Sequence, residues 1–419
     1  MRKGVQDIRV EHIFMKTSHV IALDPTAKQA QALLRACGCA RYAWNWSPQE
    51  WQRQYLAGEK PNTFSVKLAL NKHRKTIAWA YQSPKNAMEG AIRDLGRAFQ
   101  NFFDSLSGKR KGPRMGYPQR KRRGRRDNFY VANDKFSVRG LVAKLPVIGN
   151  VRLREPLRFA GKILGGRVSR RAGRWFLSVQ VETETRIPNT PSGGVYGIDL
   201  NTGNISTSDG EVIETPRAHR VASAQLRRAN RKLHRRVKGS KNRAKAQLIL
   251  AKVHRRIANI RKDFLDKVTT RFSRENQTNV IEDLNVKGMS KNRRLARSVL
   301  DGGFGMFRHM MQYKCAKFGT QLVIASRWFP STKRCSRCGN IKDIGLGVDV
   351  YSCDECGLQI PRDTNAAENL KQYPRLEGNW DTQVSKTTVE SRPLLDSISC
   401  RASQLVEAVT NPCSHLSTF

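Results

Sequence analysis

Two short cysteine motifs and three scattered acids carry the chemistry of this sequence. Cys335-x2-Cys338 and Cys353-x2-Cys356 are separated by fourteen residues, and glycine follows each pair directly, at Gly339 and Gly357. Glycine permits the tight knuckle whose backbone amides point at a thiolate. Four thiolates closing one site predict a single structural, tetrahedral Zn²⁺ with no open coordination position. An iron–sulfur site or a redox pair is the competing reading. Acids are scarce, with 34 Asp+Glu against 77 Lys+Arg. Asp199 stands at the end of the apolar run Val195–Leu200, and Glu282 directly follows Asn279-Val280-Ile281. Asp363 precedes the helix-forming stretch Thr364–Leu370. Two carboxylates on adjacent strand ends and a third on a facing helix can hold two Mg²⁺ about 3.5–4 Å apart, aligning a water and stabilising a leaving oxygen. Hard oxygen ligands suit Mg²⁺, and Mn²⁺ as well. Taken singly, each acid has a plainer reading as a turn residue, a cap or an ion-pair partner.

The surrounding patterns predict an α/β chain of several domains. Phe14, Thr17, Val20 and Leu23 suggest a strand, and Thr26 is placed to N-cap a helix whose apolar positions run from Ala30 to Trp44. A second helix is expected over Lys85–Phe103, with Met88, Ile92, Leu95 and Phe99 on one face. Gly and Pro break the stretch 107–126 into a loop. Short strand patterns at 136–138, 151–153, 167–168 and 175–181 suggest a barrel-like segment that includes the N-terminal strand. Pro and Gly at 188–194 mark a boundary. Beyond it come the strand 195–200, a hairpin around Ser208-Asp209-Gly210, two long basic helices broken near Gly239, a strand at Val280-Ile281, a helix over 301–319 and a strand at 321–325. Cys37, Cys39 and Cys315 sit in apolar helical contexts and read as packing residues.

The net charge is +43, and it is uneven. Ten of the twenty residues 107–126 and seventeen of the 46 residues 217–262 are basic, and neither tract contains an acid. Residues 374–419 carry four basic and five acidic residues, and read as a weakly ordered tail. Such a surface calls for a polyanion, nucleic acid first and an anionic membrane surface second. No apolar run is long enough to span a bilayer, and Met1–Phe14 lacks the apolar core of a signal peptide, so an intracellular protein is expected. There is no Ser–His–Asp arrangement, Walker-type loop or dinucleotide fingerprint. The candidate nucleic-acid contacts are Lys85 and Arg93 on the second helix, Arg122 and Arg123 in the basic loop, and Arg235, Arg236, Arg255 and Arg256 in the basic helices. In the helices, Leu226, Leu233, Val237, Leu248, Ala251 and Ile257 are expected to face inward. Tyr117, Phe129 and Tyr130, beside the loop, suit base stacking or core packing equally.

Taken in order, GIDLN (197–201), VIEDLNVKGM (280–289), the two cysteine knuckles and PRDTNAAENL (361–370) resemble the TnpB family of transposon-associated, RNA-guided DNA endonucleases. RYAWNW (41–46), the basic stretch 238–267 and SKNRRLARSVLDGGFG (290–305) are similar to the family too, so the resemblance covers residues 12–372. The resemblance implies a RuvC nuclease domain of RNase H-like fold with an inserted zinc ribbon, a β-barrel wedge domain and a helical recognition lobe. The implied boundaries are 1–25 with 129–190 for the wedge, 26–128 for the lobe, 191–330 for RuvC motifs I and II, 331–360 for the ribbon and 361–373 for motif III. By motif matching Asp199, Glu282 and Asp363 are the RuvC carboxylates, and Lys291 and Arg293 join the nucleic-acid contacts. The implied partners are a guide RNA from the transposon end and double-stranded target DNA carrying a short adjacent motif. The implied setting is a monomeric ribonucleoprotein in a prokaryotic cytoplasm, associated with the nucleoid. Pro361 departs from the Asp that often opens motif III, and it removes an amide at the exit of the ribbon. Related proteins that have lost RuvC acids are RNA-guided transcriptional repressors, and this is the alternative reading. A general zinc-ribbon RNA-binding protein is the third.

Overall fold

A computed structural model describes residues 12–110, 112–124, 126–186, 191–345 and 347–376. The expected tail lies outside these residues except for 374–376, which complete the last helix. The chain divides into two compact units, 14–184 and a second one containing 185–376.

The first unit opens with β1 (His12–Asp24) and α1 (Ala27–Leu56). Thr26 accepts a hydrogen bond from the Gln29 amide while the Gln29 side chain accepts from the Thr26 amide, a reciprocal cap that sets the helix start. Helices α2 (Thr63–Arg74) and α3 (Lys85–Leu106) follow. Helix α2 has no counterpart in the sequence reading. Only Val66 and Leu70 are buried along it, too short an apolar stripe to stand out from sequence. Then come β2 (Asn128–Ala132), β3 (Ser137–Arg139), β4 (Val142–Leu145), β5 (Gly149–Leu153), β6 (Lys162–Arg171) and β7 (Arg174–Arg186). They join β1 in one sheet of order β2-β6-β7-β1-β5-β4-β3. The sequence predicts a barrel-like segment; in the hydrogen-bonded order β2 and β3 are the two ends of the sheet. The buried helix positions Leu33, Ala40, Met88, Ile92 and Leu95 share one core with Phe129, Val131, Val168, Leu177 and Val179 of the strands.

The basic loop is fastened to α1. The Trp44 indole N–H donates to the Gln119 carbonyl (3.0 Å), and Asn45 exchanges hydrogen bonds with the backbone of Lys121 (3.0 and 2.8 Å). The Lys121 ammonium lies 3.5 Å from the centre of the Trp44 ring. The RYAWNW motif therefore has a structural task, to hold a cationic loop in place.

The second unit is built on β8 (Gly193–Leu200), β9 (Asn204–Thr207), β10 (Val212–Glu214), β11 (Asn276–Glu282) and β12 (Gln321–Ala325), ordered β10-β9-β8-β11-β12. The first three strands form an antiparallel meander, and β8, β11 and β12 run parallel. Between β10 and β11 lie α4 (Ala218–Val221), α5 (Ser223–His234) and α6 (Lys241–Glu275). Their own small core joins Ala218, Leu226, Val253 and Ile257. Val237 (76% exposed) and Leu248 (37%) do not face inward as expected. Helix α5 ends at His234, so Val237 falls in the connecting turn, and Ala246 and Val253 join the expected Ile257 on the buried face of α6. Helices α7 (Val286–Met289), α8 (Ala296–Gly302) and α9 (Phe304–Phe318) precede β12. The antiparallel pair β13 (Val350–Ser352) and β14 (Gln359–Pro361) leads into α10 (Arg362–Leu376). Pro361 ends β14 without loss, because the next amide, of Arg362, donates to the Asp349 carbonyl (2.9 Å).

Gly197 explains how closely α10 lies on the sheet. A Cβ at this position would stand 1.9 Å from the Ala367 carbonyl oxygen and 2.6 Å from the Lys371 nitrogen, so any side chain would push α10 away. Among the described residues no helix is long and apolar enough to cross a membrane.

Candidate active site and metal centre

Strand register brings two of the three candidate acids level with each other. On the parallel pair β8 and β11, Ile198 pairs with Ile281, so Asp199 and Glu282 are the next residues on neighbouring strands, at the carboxyl ends where open α/β sheets place their ligands. Asp363 comes from the first turn of α10, the helix that Gly197 admits to β8. Asp199 is only 9% exposed, whereas Glu282 and Asp363 are half-buried. Burial pushes the Asp199 carboxyl up to about 8, and the charges of Glu282 and then Asp363 add to the rise; a hydrogen bond from Asn201 (2.9 Å) and the charge of Arg362 oppose it. Burial also raises Glu282, against a hydrogen bond donated by the Ser331 hydroxyl. Asp199 thus meets the charges of the other two acids in a poorly hydrated place, and a hard divalent cation would relieve that repulsion, while Asp363 pairs with Arg362 (3.3 Å).

The residues around them were not singled out by sequence. Ser331 donates to Glu282. Asp283, its neighbour, accepts from Arg327 (Nε, 3.1 Å) and from Arg308. The fully buried Asn365 and Asn369, one turn apart on α10, both donate to the Arg334 carbonyl (2.7 and 2.6 Å). Asn369 donates to the Ser331 carbonyl as well (2.8 Å), and Asn365 accepts from the Ser336 amide (3.0 Å). The helix that carries Asp363 therefore grips the segment 331–336, which touches Glu282 at one end and begins the first cysteine knuckle at the other. The Asn-x3-Asn spacing after Asp363 is the sequence signal of this grip.

The four cysteines do come together. Cys335 and Cys356 stand 3.6 Å apart, Cys338 and Cys353 stand 3.5 Å apart, and all four sulfurs lie within 4.8 Å of one another. Four sulfurs about 2.3 Å from one tetrahedral Zn²⁺ would be about 3.8 Å apart, so the set fits that ion. Gly339 and Gly357 take the left-handed conformation (φ 82° and 68°), as the knuckle requires. Burial works to raise the Cys335 thiol, but the amides of Cys338 and Arg337, with the neighbouring thiols, bring it down to about 6. Among the described residues this is the one group of three or more His, Cys, Asp or Glu side chains that close. Cys37, Cys39 and Cys315 are buried in the apolar cores.

The candidate nucleic-acid contacts divide. Arg122, Arg123, Arg235, Arg236, Arg256, Lys291 and Arg293 are exposed, and Arg255 is half-buried. Lys85 is exposed but pairs with Glu89 (3.4 Å), and Arg93 lies 4.1 Å over the Tyr130 ring. Tyr130 is thus covered on one face, Phe129 is buried in the core, and Tyr117 packs against Phe99 and Phe102. Around the knuckles, Lys333 and Lys342 pair with Asp343 and Asp354, while Arg337 is exposed.

Comparison with known proteins extends this geometry. Three family descriptions match the chain: "Probable transposase" over residues 178–293, "Cas12f1-like, TNB domain" over 304–370 and "Helix-turn-helix domain" over 15–60. A protein of Streptomyces pristinaespiralis, provisionally named RNA-guided DNA endonuclease, is 38% identical over 355 residues, covering 83% of this chain and 86% of that protein. The chain belongs to the TnpB family. InsQ of Escherichia coli K12, provisionally given the same name, is 31% identical over 83% of this chain and 90% of its own. Cas12f1, in a cryo-EM structure with sgRNA and target DNA, shares the fold at a TM-score of 0.50 and 12% identity, over 85% of this chain and 99% of its own. Residues 15–60 of this TnpB chain hold most of β1 and the single long helix α1, in place of two helices and a turn.

Proposed function

We propose that this chain is an RNA-guided DNA endonuclease that binds a guide RNA from its transposon end, reads a short motif beside its target and hydrolyses DNA at Asp199, Glu282 and Asp363. The reading rests on family membership and on one structural observation, the level register of Asp199 and Glu282 beneath the first turn of α10. Two Mg²⁺, or Mn²⁺, bound by these acids would supply an activated water and neutralise charge on the leaving 3′ oxygen. Asp199 would give up its proton to serve as a ligand. Ser331 fixes one oxygen of Glu282, and Asn365 and Asn369 hold α10, the helix that carries Asp363, on the segment 331–336. In this reading 191–330 with 361–373 is the RuvC domain, 331–360 is a zinc ribbon that holds one Zn²⁺ and contacts the target, 26–128 is the recognition lobe, and 1–25 with 129–190 is the wedge. The protein works in the prokaryotic cytoplasm as a monomer within a ribonucleoprotein.

The test is to express the native locus, sequence the RNA that copurifies and challenge the complex with a plasmid library in Mg²⁺. One defined RNA ending in a variable guide, with cuts at matching sites, is expected. Target binding without any cutting in Mg²⁺ or Mn²⁺ would instead favour the repressor, and absence of RNA preference the general RNA-binding protein.

The basic helices supply the second prediction. Arg243 is used internally, donating to the Leu233 and Arg236 carbonyls (3.0 and 2.9 Å), and Arg261 pairs with Asp301 (2.9 Å). Exposed cations such as Arg235, Arg236 and Arg256 are left to meet phosphate. Guide affinity should fall about 10³-fold or more between 50 and 200 mM salt if six or more phosphates are neutralised. Binding titrations across that range check this, and a flat response would remove the role given to α5 and α6.

A further inference from the structure

Trp328 is the most exposed large apolar side chain among the described residues, at 85%. Its surroundings are the opposite of loose. The Ser326 amide donates to the Tyr373 hydroxyl (3.2 Å), and the Trp328 amide donates to the Ser326 hydroxyl (3.3 Å). The Phe329 amide donates to the Ser326 carbonyl (3.0 Å), and the Ser331 amide to the Phe329 carbonyl (2.8 Å). The Phe329 ring packs edge-on against Tyr373 at 4.9 Å. The backbone on both sides of Trp328 is therefore pinned, while the indole itself stands in water.

The position is as telling as the exposure. Arg327, the preceding residue, binds Asp283 beside Glu282, and Ser331, three residues on, binds Glu282 itself. Three residues of chain reach about 11 Å at most, so Trp328 stands at the rim of the acid site. An aromatic face carried on pinned backbone, with no ring partner among the described residues, fits a flat apolar partner that arrives from outside. At a site that hydrolyses a phosphodiester, the flat partner beside the phosphate is a base. In a duplex the base faces are already stacked, so the partner must be an unpaired base. Stacking on a π-face also tolerates any sequence, as cutting directed by a guide requires.

We infer that Trp328 stacks on an unpaired base of the strand being cut and thereby seats the neighbouring phosphate at Asp199, Glu282 and Asp363; the inference rests on the nuclease reading above. The test is single-turnover cleavage by wild-type, Trp328→Ala and Trp328→Phe ribonucleoproteins, on intact targets and on targets with an abasic site stepped through the positions flanking the cut. Trp328→Ala should slow cleavage of the intact target roughly 5- to 150-fold, the rate equivalent of about 1–3 kcal/mol of base–aromatic stacking. Trp328→Phe should stay within about 3-fold of wild type, since a smaller ring keeps a π-face. One abasic position should slow the wild type about as much and slow Trp328→Ala no further. Zinc content and copurifying RNA should be unchanged in both variants. An Ala variant that cuts as fast as a competent wild type overturns this inference alone. A slow Ala variant whose defect is the same on every abasic target, or is shared by Trp328→Phe, means a packing role and overturns it too. A wild-type complex that cuts no target overturns the nuclease reading and this inference with it.

Discussion

Asp199→Ala should remove target cleavage, slowing the single-turnover rate about 10³-fold or more while guide binding holds. The expectation follows from burial. Asp199 is held up to about 8 by desolvation and by Glu282 and Asp363, so without a cation it is protonated over most of the physiological range. A cation must therefore displace a proton. Cleavage at limiting Mg²⁺ should rise with pH up to about 8, and saturating Mg²⁺ should move the rise to lower pH. The stability consequence has a definite sign. An unfolded carboxyl titrates near 3.8 and the folded one near 8, so between these values the folded chain holds a proton that the unfolded chain has released. Without Mg²⁺, the stabilisation present below about pH 4 is lost as pH climbs through 8. Asp199→Asn, neutral throughout, should then melt higher than wild type at pH 8 in EDTA, and should gain less than wild type when Mg²⁺ is added. Thermal melts in both buffers check this. Robust Mg²⁺-dependent cutting by Asp199→Ala would remove the site assignment.

Asp199 and Glu282 are legible because each follows an apolar run, and Asp363 because a helix-forming stretch follows it. Val195–Ile198 and Val280-Ile281 read as buried strands, and the acid after each had to lie at a strand end. Their level register was not legible, since strand pairing between residues 83 apart is a tertiary outcome. The same limit hid Ser331, Asn365 and Asn369, whose partners lie 49, 31 and 38 residues away. The cysteines needed no such knowledge, because CxxC-Gly closes locally. Lys85 and Arg93 show another limit of the sequence. A cation on a polar helix face looks free in sequence, yet Glu89 sits one turn after Lys85, and Tyr130 arrives from β2 to cover Arg93. Charge runs are read best where no acid or aromatic partner is within reach, as across α5 and the first half of α6.

Cys335→Ser should bring zinc content close to zero and should also cost cleavage, although all three acids remain chemically intact. The first effect is direct. Structural zinc sites contribute about 10–16 kcal/mol of binding energy to local folding, and Cys335 is a fully buried member of the small ribbon core with Tyr351 and Cys353. The second follows from the grip of α10. Asn365 and Asn369 hold the Arg334 carbonyl immediately before Cys335, and Asn369 holds Ser331, whose hydroxyl orients Glu282. Loss of the knuckle frees one end of this segment, and the hydrogen bond to Glu282 loses its support. Outer supports of this kind are typically worth 10- to 100-fold in metal affinity or activity, so cleavage should drop by at least about 10-fold. Part of the loss should return at high Mg²⁺, because the acids are misplaced rather than missing; Asp199→Ala should show no such return. Guide binding should persist, since α5 and α6 pack on their own core. Metal analysis, Mg²⁺ titration of cleavage and guide titration on the same preparation read the three effects. Stoichiometric zinc retained by Cys335→Ser would end the ligand assignment, and full cleavage without zinc would separate the ribbon from the acids.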